Sequence, residues 1–304
     1  MKISLVVTVL NEEKTIEPFL NSVEKQTLKP DEVIIVDGGS VDWTLEILAE
    51  RKEKIRVLIM KGANRSLGRN RGVEEATGDI IAFTDAGCVL DKNWLLELTK
   101  PFSDEKVEVV AGYYNAITKS AFEKCVAPYA LVMPDRVNPK NFLPASRSMA
   151  IRKETFNKAG GFPLNYSDNE DYVFANQLKK MGTKMIFTKD AIVSWMPRTT
   201  LRSFWKMIYR FARGDAKAGL RTLKVLSVFA RYGLLLLLLF LSKYFNNFLL
   251  YFSSIFFLYL LWSVVKNYKY VKDLRAFYIL PLLQLTSDFA VISGTIVGLL
   301  SREI

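Results

Sequence analysis

The stretch ISLVVTVL at residues 3–10, running straight into Asn11-Glu12-Glu13, decides how this chain is read. It is apolar almost throughout and rich in β-branched residues. It is short and no small-residue cleavage site follows it, so a buried strand is a better reading than a secretory leader. A short apolar run that ends in a polar turn reads as a strand buried on both faces, the kind found in parallel sheets covered by helices on each side. Three similar runs follow at 32–36, 56–60 and 80–84, and segments with helical spacing lie between them at 15–25, 43–52 and 67–76. This alternation predicts an α/β fold, a Rossmann-like and mostly parallel sheet with helices on both faces, through about residue 194. In such sheets ligands bind beyond the carboxyl ends of the strands, so the residues just after each run matter most.

Composition limits what can sit there. The 304 residues are 50% hydrophobic yet 24% charged, which implies a polar catalytic body and an apolar segment in one chain. There is no histidine. A histidine-ligated metal, a Ser-His-Asp triad and a histidine general base are therefore excluded, and acid–base chemistry falls to carboxylates, Lys, Tyr or Cys. Two cysteines, Cys88 and Cys125, make no disulfide framework and fit a reducing compartment for the polar part.

The apolar segment lies in the last third. Runs near 225–242, 248–265 and 277–300 are each long enough to span a hydrocarbon core of roughly 30 Å, giving a bundle of about three transmembrane helices over 225–304. Arg231 and Asp288 fall inside them, and Pro281 interrupts the third. Between the second and third runs stand Lys266, Lys269, Lys272 and Arg275 against Asp273, while the turn between the first and second holds Lys243 alone. Positive charge marks the cytoplasmic side. The expectation is a multi-pass protein of the cell membrane with its N-terminal domain, residues 1–197, in the cytoplasm.

Residues 198–224 form a third region. From Arg198 to Arg231 the chain carries nine basic residues and one acid, Asp215. Arg198, Arg202, Lys206, Arg210, Arg213, Lys217, Arg221 and Lys224 follow one another at steps of three or four, which would align them as a stripe on a continuous helix. Trp205, Ile208, Phe211 and Leu220 fall between them. Much of the net charge of +11 is concentrated here, beside the apolar runs. Its partner is therefore expected to be membrane lipid or a lipid phosphate, not nucleic acid, and the region reads as a basic amphipathic collar at the interface.

The residues beyond the strands are acidic and glycine-rich. They carry four motifs in order: VVTVLNEEKTI at 6–16, VDGGSVDWT at 36–44, SLGRNRGVEEATGDIIAFTDAG at 66–87, and GGFPLNYSDNEDYVFANQLKKMG at 160–182. Together these resemble the inverting GT-A glycosyltransferases of family 2, over residues 1 to about 215. The resemblance implies a GT-A domain that moves a sugar from a nucleotide diphosphate donor, with a divalent metal, Mg2+ or Mn2+, at Asp85 and with Asp171 as general base. The apolar segment adds the expectation of a lipid-linked acceptor, a polyprenyl or dolichyl phosphate or a lipid-linked glycan, at the cytoplasmic face.

Physical chemistry assigns the remaining parts. Asp37 ends a strand where a carboxylate can accept from a base or ribose, and Gly38-Gly39 lets the backbone approach the nucleotide. Thr8, Asn11, Glu12, Gly39, Asp85 and Ala86 are counted with it in the nucleotide-sugar site. Arg65, Arg69 and Arg71 suit diphosphate oxygens, and the sequence does not choose among them, although Arg65 and Arg69 are the preferred pair. Gly87 stands where the family's Asp-x-Asp motif has its second acid, so Asp85 binds metal alone or with Asp91. Glu170 is expected to orient the acceptor. If the acceptor is a phosphate, Arg147 and Arg152 are candidate partners for it, and Arg202, Lys206 and Arg210 are candidates for its lipid surroundings. Two rival readings are a catalytically reduced sugar-nucleotide-binding membrane partner, favoured by Gly87, and a processive polysaccharide synthase. No Gln-x-x-Arg-Trp segment of the sort such synthases carry follows the acidic pair, so transfer of a single sugar is preferred.

Overall fold

A computed structural model describes residues 1–166, 168–220 and 222–301. Ser167 of the fourth motif, Arg221 of the basic row and residues 302–304, after the third apolar run, lie outside the described residues. The chain forms two compact units. Met1–Ile117 with Met133–Met196 makes one, and Thr118–Val132 with Pro197–Ile304 makes the other. A division at 197 drawn from composition does not anticipate that 118–132 leaves the first unit, because that segment is short and its composition does not differ from its surroundings.

The first unit is an eight-stranded mixed sheet with helices. Its elements are β1 (Ile3–Val9), α1 (Ile16–Glu24), β2 (Glu32–Asp37), α2 (Thr44–Ala49), β3 (Arg56–Ile59), α3 (Arg65–Glu75), β4 (Ile80–Thr84), β5 (Cys88–Leu90), α4 (Trp94–Thr99) and β6 (Val109–Ala116). After α5 (Ala121–Ala130), which belongs to the second unit, come β7 (Ser148–Arg152), α6 (Lys153–Lys158), α7 (Glu170–Lys180) and β8 (Met185–Trp195). The strand order is β3-β2-β1-β4-β7-β6-β8-β5. The four strands and three helices read from hydrophobic spacing are all present, and β1, β2, β3 and β4 pair in parallel. Beyond β4 the pattern changes: β7 is antiparallel to both β4 and β6, β6 runs parallel to β8, and β5 closes the edge antiparallel to β8.

Close packing explains two glycines of the third motif. A Cβ on Gly72 would sit 2.4 Å from Val6 Cγ1, and one on Gly68 would sit 2.8 Å from Thr8 Cγ2. Side-chain-free positions let α3 lie directly on β1, which brings the α3 arginines to the carboxyl end of the sheet. Beneath them Val6, Ile34, Val36, Ile81, Phe83, Phe156, Phe162 and Phe174 form one core cluster, with the Phe83 and Phe162 rings edge to face at 5.3 Å. Each such fully buried side chain contributes roughly 1.5–3 kcal/mol.

The second unit holds α5, α8 (Leu201–Ala218), α9 (Thr222–Leu241), α10 (Asn246–Val271) and α11 (Ala276–Leu300). Leu223–Leu241, Asn247–Val271 and Ala276–Leu300 are long and apolar enough to cross a membrane, as the three runs predict. The second is longer than read, since Lys266 and Lys269 continue the helix with their amines over the Trp262 and Tyr270 rings. The two charges inside the apolar runs find each other. Arg231 lies 3.6 Å from Asp288 Oδ2 and its guanidinium covers the Tyr259 ring, while Tyr232 and Gln284 donate to the same carboxylate. An intramembrane acid is costly unless paired and hydrogen-bonded, and here it is both.

The basic region is helical only in part as one piece. α8 starts on a capping box made by Thr200 and Ser203 and stops where Gly219 turns left-handed at φ 70°, so the row of cations does not continue unbroken into α9. Arg202, Lys206 and Arg210 are exposed, while Phe204, Met207, Ile208, Ala212 and Ala216 are buried. Of the apolar residues read into the collar, Ile208 lies on the buried side of α8, while Phe211 is exposed and Trp205 half-buried; the buried side packs on α11. Gly294 and Gly298 allow it: added Cβ atoms there would fall 2.4 Å from Tyr209 O and 2.5 Å from Arg213 O.

Candidate active site

The first loop beyond the sheet is built around Asp37, which is fully buried. Its Oδ1 accepts from the backbone N–H groups of Gly39 at 2.8 Å and Ser40 at 2.9 Å, and its Oδ2 accepts from Ser40 Oγ at 2.6 Å. Gly39, at φ 100°, makes the turn possible. Asn11, itself left-handed at φ 55°, accepts from Val41 N through Oδ1, and its own N–H donates to Ser40 Oγ. Glu12 N donates to Thr44 Oγ1, and Thr15 Oγ1 donates to the Glu12 carboxylate. The first two motifs thus form one cross-linked pair of loops at the ends of β1 and β2. Asp37 spends three acceptor sites on its own turn, which leaves room on Oδ2 for one further donor.

The second cluster joins the third and fourth motifs. Arg69 on α3 is 2% exposed and lies over the Phe162 ring. Its Nη1 donates to Glu170 Oε1 at 2.7 Å and its Nη2 to Asp85 Oδ1 at 3.1 Å. Arg147 Nε stands 3.6 Å from Asp85 Oδ2, and Arg65 Nη1 is 4.0 Å from Glu170 Oε2. Asp85 follows β4 directly, and Glu170 and Asp171 open α7, where negative charge at a helix N-terminus is favoured. Asn169, left-handed at φ 59°, sets that start.

The electrostatics follow from this geometry. Burial pushes the Asp85 carboxyl up, but Arg69, Arg147 and Arg65 outweigh it and hold the group below the ordinary aspartate range. Arg69 stays charged because Asp85 and Glu170 outweigh its own burial. Burial carries the Glu170 carboxyl above the ordinary range against the pull of Arg69, with Asp171 adding to the rise. Asp171 acts on Arg69 and Arg147 as well, so all three acids and both arginines share one field. Two buried atoms of the cluster, Glu170 Oε2 and Arg147 Nε, have no hydrogen-bond partner among the described residues.

The structure sorts the remaining sequence candidates. Arg65 and Arg69 face the cluster, whereas Arg71 pairs with Glu74 and Glu75 on the outer face of α3. Ala86 is buried beside Asp85. Arg152 is a correction. Because β7 runs antiparallel to β4, Ser148 lies opposite Thr84 at the carboxyl end while Arg152 lies opposite Ile80 at the other end, about 13 Å along the strand. There its guanidinium stacks on Phe102 and donates to the carbonyls of Val107 and Phe102, so it braces a loop and is not placed to meet a phosphate at the site. Asp91 is committed to the turn into α4, where Oδ1 accepts from Asn93 N.

Three residues that spacing alone does not reveal complete the cluster. Asn70 accepts from Phe162 N at 2.8 Å and donates to Phe162 O at 2.9 Å, fastening the Gly160-Gly161-Phe162 turn to α3. Tyr114 and Trp195 flank Arg147, whose guanidinium carbon lies 5.4 and 5.2 Å from their ring centres. Asn70 stands inside a quoted motif, next to Arg69. The two rings come from β6 and β8, which no local pattern links to Arg147.

Among the described residues no group of three or more acidic or cysteine side chains is arranged to hold a metal. Asp85 can offer an oxygen to a divalent cation only if most of the coordination shell arrives with a bound diphosphate and water, an arrangement that suits Mg2+ or Mn2+. Gly87 has open space around it, with no atom within 4 Å of an added Cβ.

Known proteins resemble the chain over most of its length. It is 26% identical to glycosyltransferase AglE of Haloferax volcanii over 70% of this chain and 72% of that one. It is 24% identical to the O-antigen chain rhamnosyltransferase RfbN of Salmonella typhimurium over 67% and 71%. The solved mannosyltransferase PcManGT of Pyrobaculum calidifontis, in complex with GDP-Man and Mn2+, superposes with a TM-score of 0.56 and 20% identity over 71% of this chain and 62% of that one. At that identity the likeness speaks for the fold, a GT-A-like domain. The profile described as "Glycosyl transferase family 2" matches residues 4–158, just over half of the 304, and the chain therefore belongs to that family of glycosyltransferases.

Proposed function

We propose that this enzyme is an inverting glycosyltransferase that moves a single sugar from a nucleotide diphosphate donor to a lipid-linked acceptor at the cytoplasmic face of the cell membrane. The observation that carries the reading is the buried Arg69, which ties Asp85 of one motif to Glu170 of another and so holds the acidic pair next to the end of β4. The loops around Asp37, Thr8, Asn11, Glu12 and Gly39 bind the nucleoside, with the remaining acceptor site of Asp37 taking a donor from base or ribose. Arg65, half exposed, supplies cationic donors to the diphosphate, and the buried Arg69 adds its positive charge to the site while holding Asp85 and Glu170. A divalent metal reaching Asp85 with the donor would stabilise charge on the departing diphosphate. Asp171 accepts the proton of an acceptor hydroxyl as the acceptor oxygen bonds to the anomeric carbon and the bond from that carbon to the diphosphate oxygen breaks. Glu170, fixed by Arg69, orients the acceptor. If the acceptor is a phosphate, it is already an anion and Asp171 has no proton to take.

The membrane side of the reading rests on the second unit taken by itself. Three apolar helices make a membrane protein, and the exposed Arg202, Lys206 and Arg210 of α8 attract anionic headgroups or the phosphate of the acceptor. The basic turn between α10 and α11 supports a cytoplasmic catalytic unit.

The test uses the full chain in membrane vesicles with a panel of radiolabelled nucleotide sugars and a short-chain polyprenyl phosphate or a native lipid extract. Label passing into the organic phase with one donor supports the reading. Label released only as free sugar, or retained only in water-soluble product, contradicts the lipid acceptor.

A further inference from the structure

Arg147 is the part of the cluster that the reading above does not use, and its surroundings are unusual for a simple ion pair. The guanidinium lies between the rings of Tyr114 and Trp195, at 5.4 and 5.2 Å, and Tyr114 is itself stacked on Tyr113 at 5.8 Å. Two aromatic faces hold a planar cation in one orientation and reduce the entropy lost when it binds. The side chain is 22% exposed, so part of it is open to solvent. Among the described residues its acidic contact, Asp85 Oδ2, is long at 3.6 Å, and the buried Nε–H has no hydrogen-bond partner. A contact this long is readily exchanged for a shorter, charge-assisted one to an anion.

Position narrows the anion to a phosphate oxygen, and the source to the donor. Arg147 reaches the oxygen of Asp85 that Arg69 leaves free, just beyond β4 and beside the open space at Gly87. Where a second acid would share the task of anchoring the diphosphate through metal, this chain offers open space and a second cation. We propose that Arg147 exchanges its loose contact with Asp85 for the diphosphate of the bound donor and steadies the departing nucleoside diphosphate. This rests on the donor reading given above and replaces the expectation that Arg147 meets the acceptor.

The experiment measures binding to the full chain in detergent, by calorimetry and by tryptophan emission. The probes are UDP, GDP, ADP, CDP and dTDP, their monophosphates, and a short-chain polyprenyl phosphate, each with Mn2+. Arg147→Met is expected to weaken the preferred nucleoside diphosphate about tenfold or more and its monophosphate far less. Arg147→Lys, which keeps the charge without the fork, should fall between and serves if the methionine variant does not fold. Emission of the wild type should shift with the diphosphate, and Trp195→Phe should remove that shift. Unchanged diphosphate affinity in both variants would overturn the assignment, and selective loss of polyprenyl phosphate binding would return Arg147 to the acceptor. If the wild type bound no nucleoside diphosphate, the donor reading itself would fall, and the assignment with it.

Discussion

Arg69 and Glu170 stand 101 positions apart in the chain, yet their side chains meet at 2.7 Å with both buried. Through the same guanidinium Arg69 also reaches Asp85, so one side chain fixes the distance between the strand end of the third motif and the helix start of the fourth. A charge so deeply buried persists only because its partners are in place.

Removing the cation alone should therefore be severe. Arg69→Met leaves Glu170 buried without its partner and should cost about 3–5 kcal/mol of stability. Arg69→Met combined with Glu170→Leu should recover part of that loss, because no uncompensated charge remains. Denaturant or thermal unfolding of the detergent-solubilised chain measures both. Equal destabilisation by the single and double variants would mean that the pair does not act as a unit.

Gly87 offers a gain-of-function test. Nothing lies within 4 Å of an added Cβ, so Gly87→Asp is expected to be tolerated in the fold and to place a second carboxylate two residues after Asp85. Mn2+ affinity in the presence of a nucleoside diphosphate should rise about tenfold, the worth of one further charged ligand of modest strength. Titration calorimetry reads it directly, and an unchanged affinity would show that the side chain does not reach the ion.

In the second unit, α8 depends on the absence of side chains on α11. Gly294→Val would press a Cβ to 2.4 Å from the carbonyl oxygen of Tyr209, and backbone cannot yield as a flexible side chain does. The variant should unfold at a temperature several degrees lower, from overpacking worth about 1–3 kcal/mol. Gly233→Ala on α9, with nothing within 4 Å, is the matched control and should be neutral or slightly stabilising.

Both thiols should be silent in the folded chain. Burial pushes Cys88 and Cys125 up to about 12, so neither is appreciably ionised at pH 8. Reaction with a disulfide reagent should be slow in the native protein and fast in denaturant. Because these folded values lie above those of free thiols, the folded state binds the extra protons. Their contribution to stability is complete below about pH 8.5 and is lost as pH rises from there toward 12. Constant stability across that interval would contradict the assignment.

The elements of the parallel half were legible because their cause is local. The runs at 3–10, 32–36 and 80–84 are apolar since their strands are buried, the run at 56–60 forms a partly covered edge strand, and Gly68 and Gly72 signal close helix packing within one motif. The three apolar helices were legible for the same reason. What spacing could not convey was strand direction beyond β4. That direction decides that Arg147 sits at the site and Arg152, five residues later, does not. The pairing of Arg69 with Glu170, the rings around Arg147 and the docking of α8 on α11 are products of long-range topology, and no window of sequence contains both partners.

The most direct measurement compares the wild type with Asp171→Asn, using the nucleotide sugar and acceptor found active in the vesicle assay. If the acceptor carries a hydroxyl, the account predicts that transfer falls by about 10²-fold or more while nucleoside diphosphate affinity stays within about twofold. Full transfer by the variant to such an acceptor would contradict the account, since the carboxylate assembled beside Glu170 and Arg69 would then play no part in the chemistry.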